Sequence, residues 1–240
     1  MNILGFDTST KAASVALLKD DVLVGEILIN DKRTHSQKLM PMLESLFKLA
    51  NVTADDIDLL AVCIGPGSFT GLRIAMASVK AMAHAKDLKV VAVDSLESLA
   101  FNMLGVDKKI IAILDAQGSK VYTASYKTQE NELKNLEEIE VMDIDELLER
   151  IDKDGEEVIL LGEGVHKYRD KISKQALIEI PSADKNISKA SSVCTIASEK
   201  YRKNVDIHTH YDILPMYIRK SQAETQYEEK QKKIKEASTK

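Results

Sequence analysis

The chain has 240 residues, 44 % of them apolar and 30 % charged, with no run of about 18 apolar residues; this excludes a helical membrane span and a wholly disordered chain. The formal net charge is −5, and because residues 219–240 hold seven bases and four acids, the residues ahead of them carry −8. Such a body does not bind RNA by broad electrostatics, and with 5 % aromatic residues and no Trp it lacks a base-stacking platform, so any RNA must be held by a partner.

The opening Met1-Asn2-Ile3-Leu4-Gly5-Phe6-Asp7 has no basic stretch before its apolar run and an acid at position seven. No signal peptide is therefore expected, and the chain is expected to be soluble and cytoplasmic, with no membrane partner. Ile3 to Phe6 reads as a buried strand, Ala13 to Leu18 as a second and Val22 to Ile29 as a third, with Lys19-Asp20-Asp21 as the turn of a hairpin. Helical spacing of Leu39, Leu43, Leu46, Phe47 and Ala50 predicts a helix over Ser36–Ala50, where Pro41 is tolerable only in the first turn. A strand at Leu59–Ile64, a helix at Gly71–Lys86 and a strand at Val90–Val93 complete a βββαβαβ order.

The second half repeats that order. Strands are predicted near Ile110–Leu114, Val121–Tyr126 and Glu137–Val141, then a helix Ile144–Asp152, a strand Val158–Leu161 and a helix Val165–Ile172. A strand at Leu177–Ile180 and a helix at Ile187–Lys203 follow. Aligning Asp7 with Asp115 leaves identities only at that pair, Ile3/Ile111 and Ala16/Ala124, so the repeat is one of architecture. The expectation is an α/β, actin-like (ASKHA, ribonuclease H-like) fold of two lobes, each a mixed sheet flanked by helices. Residues 1–104 form the first lobe and 105–219 a smaller second, whose last helix is free to pack back on the first. Asn102 to Lys108 would form the hinge, and 220–240 a polar, charged tail, frayed or disordered.

The sharpest motif is Gly65-Pro66-Gly67-Ser68-Phe69-Thr70-Gly71-Leu72-Arg73, which follows a strand and opens a helix. Its glycines permit tight turns, and spacing alone favours a structural turn; the alternative is an anion or partner site at the helix start, with Ser68 or Thr70 as cap. It is no Walker loop, since the sixth residue from Gly65 is Thr70 and no Gly-Lys pair follows the gap. Asp7, Thr8 and Ser9 at the end of the first strand, Asp115 in the second hairpin, and Gly162 with Gly164 would line a nucleotide cleft of actin-like ATPases. Thr8 and Gln117 stand where the tight phosphate turns want Gly, so a degenerate cleft with weak or absent nucleotide binding is expected.

Histidines His35, His84, His166, His208 and His210 show no i, i+4 pair, because Leu39 and Leu88 stand four residues after the first two; no intrinsic metal is expected. Cys63 and Cys194 read as buried reduced thiols. No catalytic residue is assigned. The two helices of the first half carry more apolar surface than one sheet contact needs. Leu72, Met76, Val79 and Ala83 form one stripe of the second, and Ala75, Ser78, Ala81 and Ala85 are small enough for close helix approach. Deep core and subunit interface both fit such an arc.

Taken together, Ile3–Thr10 with Ala13–Leu17, the segment His35-Ser36 with Leu39 and Pro41, and the Gly65–Arg73 motif closely resemble the bacterial TsaB family, as do Asp115-Ala116, Val121-Tyr122 and Pro215–Arg219. This is the small branch of the tRNA threonylcarbamoyltransferase family, formerly labelled a glycoprotease family. The resemblance implies a non-catalytic partner of the catalytic subunit TsaD, joined by the ATPase TsaE, in threonylcarbamoylation of the adenosine beside the anticodon. Homodimer formation and contact with tRNA only through the complex are implied likewise. It further implies a four-helix partner interface using His35, Leu39, Leu43, Leu46, Phe47, Gly71, Leu72, Arg73, Ala75, Met76 and Val79. In the catalytic paralogue a His-x-x-x-His pair holds the metal, and Leu39 interrupts that pair here. An actin-like ATPase or kinase remains the alternative on the strength of Asp7 and Asp115, and a metallopeptidase on the old label.

Overall fold

The computed structural model describes residues 1–219, so the predicted tail lies outside the described residues. Along the first half run β1 (Asn2–Asp7), β2 (Ala13–Lys19), β3 (Val22–Ile29), α1 (His35–Ala50), β4 (Leu59–Gly65), α2 (Phe69–Lys86), β5 (Lys89–Asp94) and α3 (Ser95–Phe101). The second half continues with β6 (Lys109–Asp115), β7 (Lys120–Gln129), β8 (Glu132–Asp143), α4 (Ile144–Asp154), β9 (Val158–Leu161), α5 (Glu163–Lys167) and α6 (Arg169–Ile172). β10 (Ile178–Glu179), α7 (Ala190–Arg202) and β11 (Ile207–His208) close it. Among the described residues no helix is long and apolar enough to cross a membrane.

Two mixed sheets share one wiring. The first runs β11-β5-β4-β1-β2-β3 and the second β10-β9-β6-β7-β8. In each, the first strand pairs antiparallel with the second and parallel with the fourth. The two-residue hairpins match as well: Asp20 and Asp21 have φ of 48° and 64°, Glu130 and Asn131 φ of 50° and 62°. Positive φ at both central residues gives the turn whose twist suits paired strands, and it fixes Lys19 opposite Val22 and Gln129 opposite Glu132. The sequence places the start of β8 at Glu137 and so misses the second hairpin.

Alternation along β1 sends Leu4 and Phe6 to one face, where α1 and α2 cover them, and Ile3 to the other, under α7. Although α7 follows the second sheet in sequence, it lies on the first. Its Val193, Cys194 and Ala197 pack on Ile3, Ala61 and Val91, so close that a Cβ on Gly5 would meet the Cys194 sulfur. The helix has no side-chain cap of its own. Glu26 of β3 supplies one, its carboxylate accepting from the Ser191 amide at 3.0 Å, the Ser191 hydroxyl at 2.8 Å and the Ser14 hydroxyl at 2.7 Å. A carboxylate at unpaired N–H groups also suits the helix dipole.

The second sheet is covered on one face by α3 and on the other by α4, α5 and α6. Unforeseen in the sequence, α3 is started by Asp94, which accepts from the amides of Leu96 and Glu97 at 2.6 and 3.2 Å. The expected Val165–Ile172 helix is broken at Tyr168 into α5 and α6, and the last long helix begins at Ala190 and not at Ile187. Pro41 sits in the second turn of α1, exposed and without ending it. The connection after α3 is fastened: Asn102 donates to the carbonyls of Lys185 and Ile187 at 2.9 and 2.8 Å and accepts from Ser192.

Candidate functional site: a filled phosphate turn and an interlobe cleft

The Gly65–Arg73 loop lies directly on the end of β1. Ser68 caps α2, accepting from the Gly71 amide at 3.2 Å, while its own amide donates to the Ser9 carbonyl at 2.7 Å. The Thr8 hydroxyl donates to the Gly71 carbonyl at 2.7 Å, and Ser95 donates to that of Pro66. Contact is backbone to backbone, since a Cβ on Gly67 would collide with Ser9 and one on Gly71 with the Thr8 carbonyl. Asp7, Thr8 and Ser9 are consequently buried. Asp7 Oδ1 accepts from the amide and hydroxyl of Ser9 at 2.9 and 2.7 Å, whereas Oδ2 is buried without a partner. Burial pushes this carboxyl above its ordinary value, which favours the protonated acid.

Beside this turn a cleft of about 560 Å³ opens between the two sheets. Thr10, Lys11, His35, Ser68, Thr70 and Arg73 line it from one side, Asp115, Gln117 and Glu163 from the other. Asp115 is neutralised by Lys167 at 2.7 Å and accepts from the Gln117 amide at 2.9 Å. Burial pushes the Glu163 carboxyl up, and the Lys11 amide approaches it at 3.4 Å. His35 rests against Gly71; desolvation, then the neighbouring Lys38 ammonium, draws its imidazole below the ordinary range. The segment 215–219 straps the loop down. Met216 donates to the Ile64 carbonyl at 2.8 Å, Tyr217 stacks on Phe69 with centroids 4.0 Å apart, and Arg73 donates to the Tyr217 hydroxyl at 3.0 Å. Arg219 donates to the Ala116 carbonyl.

Of the residues expected to line a nucleotide cleft, only Asp115 does. Asp7, Thr8 and Ser9 lie beneath the protein's own loop. Gly162 and Gly164 are buried against Ile113, and the Gly162 amide donates to Asn186 at 2.5 Å. Lys11, Glu163, Tyr217 and Arg219 went without a role in the sequence, although Glu163 stands between the two glycines considered and Tyr217 and Arg219 lie in a quoted motif.

The expected partner surface needs the same correction. Leu39, Leu43, Leu46, Leu72, Ala75, Met76 and Val79 are all at most 5 % exposed, packed on Leu4, Phe6, Val15 and Val62 of the sheet. Phe47 is half-buried against that core, Gly71 is buried on Thr8, and His35 and Arg73 face the cleft. A helix presents one stripe to its sheet, and Leu39, Leu43 and Leu46 on α1 with Leu72, Ala75, Met76, Val79 and Ala83 on α2 occupy it. The outward face instead carries Met40 and Leu49 on α1, 54 % and 81 % exposed, and the exposed Ala77, Ala81 and Ala85 on α2.

Among the described residues no group of three or more His, Cys, Asp or Glu side chains could hold a metal ion. Both cysteines are buried and free, as expected.

The family described as TsaD, tRNA N6-adenosine threonylcarbamoyltransferase, matches residues 23–227. The tRNA threonylcarbamoyladenosine biosynthesis protein TsaB of Bacillus subtilis (strain 168) is 30 % identical over 234 residues, which cover 97 % of this chain and 100 % of that one. The chain belongs to the TsaB family. A second TsaB, from Escherichia coli (strain K12), is 27 % identical over 93 % of this chain and 96 % of its own. Among solved structures, YeaZ from Pseudomonas aeruginosa superposes with a TM-score of 0.76 at 26 % identity, over 90 % of this chain and 99 % of that one. Component A of (R)-2-hydroxyglutaryl-CoA dehydratase from Acidaminococcus fermentans, at 12 % identity and a TM-score of 0.51 over 84 % of this chain and 99 % of that one, shares the fold alone. The two-lobed actin-like fold and the TsaB resemblance read from the sequence are both borne out.

Proposed function

We propose that this chain works in tRNA threonylcarbamoyladenosine biosynthesis as a non-catalytic, activating subunit. It binds a TsaD-type catalytic paralogue, reaches TsaE and tRNA only through that complex, pairs with itself in the paralogue's absence, and acts in the cytoplasm. Membership of the TsaB family carries the pathway assignment. The observation that carries the non-catalytic reading is the filled turn at the end of β1: Thr8 and Ser9 are bonded to Gly71 and Ser68, where an actin-like ATPase leaves room for phosphate. Leu39, four residues after His35, is a hydrocarbon side chain with no donor atom, so this helix face offers no His-x-x-x-His metal pair. The chain accordingly needs no nucleotide or metal of its own.

A subunit without chemistry acts by contacting the active state of its partner better than the inactive one. The surface that fits this role is the outward face of α1 and α2, where Met40, Leu49, Ala77 and Ala81 leave room for two partner helices. The test is modification of tRNA by purified TsaD and TsaE with threonylcarbamoyl-adenylate, with and without this chain. Product is expected only with the chain present, and none from the chain alone. Modification without it overturns the activating role, and ATP turnover by the isolated chain overturns the reading in favour of an actin-like ATPase.

A further inference from the structure

Away from the cleft, two histidines meet across 126 residues of chain. His84 stands in the last turn of α2 and His210 just after β11, with Nδ1 of His84 3.1 Å from Nε2 of His210. Neither ring makes another hydrogen bond among the described residues, and neither is paired with a carboxylate; the histidine ion pair nearby is that of His208 with Asp212 at 3.3 Å. Both rings are held by their supports. His208 pairs with Val90 across the sheet, the Thr209 amide donates to Asp212 at 2.7 Å, and the amide of the buried Ile213 donates back to the Thr209 carbonyl at 3.2 Å. The Tyr211 ring lies on His210 with centroids 3.9 Å apart.

As a hydrogen bond the contact between the two imidazoles is poor. Ring centroids only 4.6 Å apart, with planes inclined at 55°, mean that the nitrogens do not face head-on, so the bond is bent. As a pair of ligands the same contact is close to ideal. Two imidazole nitrogens about 2.0–2.1 Å from a tetrahedral zinc ion stand about 3.3 Å apart, so the pair has to open by only about 0.2 Å from its 3.1 Å. The position favours a cation as well, because the last turn of α2 is the negative end of its dipole.

We propose that His84 and His210 bind a divalent transition-metal ion of the zinc, nickel or copper class, through Nδ1 and Nε2 respectively, with water in the remaining positions. Imidazole nitrogen suits these ions and leaves magnesium or calcium unserved. The ion is structural and independent of the non-catalytic reading above. It fastens the 207–213 segment, from which the strap over the Gly65–Arg73 loop continues, to the end of α2, and it stabilises the folded chain by mass action.

The test is calorimetric titration of the full chain with zinc chloride at pH 7.5, beside magnesium chloride, with thermal melting of each mixture. About one zinc ion per chain is expected, half-saturated below roughly 1 mM and raising the melting temperature, with no binding of magnesium. His84→Ala and His210→Ala are each expected to weaken zinc by at least about tenfold. His84 is exposed and His210 only partly buried, so both variants are expected to melt like the parent without zinc. His208→Ala, which removes the neighbouring ring, is expected to keep the parent's affinity. No saturable zinc binding up to roughly 1 mM, or unchanged affinity in His84→Ala or His210→Ala, overturns the proposal. A loss in His208→Ala equal to that in His210→Ala also overturns it, by moving the ion to the His208–Asp212 pair.

Discussion

The Thr8 hydroxyl donates to the Gly71 carbonyl oxygen at 2.7 Å, joining the end of β1 to the first turn of α2 across 63 residues of chain. The approach is close enough that Gly71 has no room for a side chain: a Cβ there would collide with the Thr8 carbonyl and press on the His35 ring at 3.1 Å. Both neighbours are held, the first by the sheet and the second by the start of α1. Gly71→Ala is therefore expected to lower stability by about 2–3 kcal/mol despite the better helix propensity of Ala. Urea denaturation measures this, and a stabilised variant would show that the two segments separate easily.

Asp94 makes stability depend on pH in the direction opposite to a salt-bridged carboxylate. Its carboxyl titrates near 7 in the folded chain and near 4 when unfolded, so the folded state holds the extra proton between those values. Stability from this group is present at low pH and is lost as pH rises toward 7, by up to about 4 kcal/mol. Asp7 and Glu163, also raised by burial, contribute with the same sign. Asp94→Asn isolates the one group: its stability relative to the parent is expected to rise between pH 5 and pH 7.5 in paired urea melts. A constant difference across that range would remove Asp94 as the source.

What the sequence conveyed well was local. Asp20-Asp21 between two alternating runs announces a hairpin because those residues tolerate positive φ, and the spacing of Leu39, Leu43 and Leu46 announces a helix because its period is 3.6. It conveyed α3 poorly, since seven residues are too few for periodicity; only the Asp94-Ser95-Leu96-Glu97 cap marks it. The cleft was least legible. Asp7 to Ser9 look like a phosphate turn until a loop nearly sixty residues later is laid over them, and nothing within either segment specifies that meeting. Likewise, periodicity shows that α1 and α2 have apolar faces but not which stripe the sheet takes.

Glu26 is expected to govern the docking of α7. Its two carboxylate oxygens serve Ser14 and both donors of Ser191, partly buried, 165 residues apart in sequence. Glu26→Ala leaves those donors unsatisfied and removes the charge from the helix N-terminus, a loss of about 2–3 kcal/mol. Hydrogen exchange is the sharper measurement, because amides of α7 should lose protection more than those of α4, which packs on the other sheet. Uniform loss across both helices would mean that α7 does not open independently.

The two faces of the first-lobe helices make opposite predictions for substitutions of similar kind. Leu46 is 3 % exposed and packs beneath α1 in the sheet's core, so Leu46→Asp buries an unpaired charge at several kcal/mol and is expected to unfold the chain whether or not a partner is present. Ala81 is exposed on α2, where Ala81→Arg keeps good helix propensity and is expected to change the melting of the isolated chain little, within about 0.5 kcal/mol. If the outward face is the partner surface, Ala81→Arg removes co-purification with a TsaD-type subunit and shifts any self-association toward monomer, because a bulky charge now stands where two helix backbones must approach. The pair separates folding from association: a folded Ala81→Arg chain that still assembles would place the partner surface away from α2.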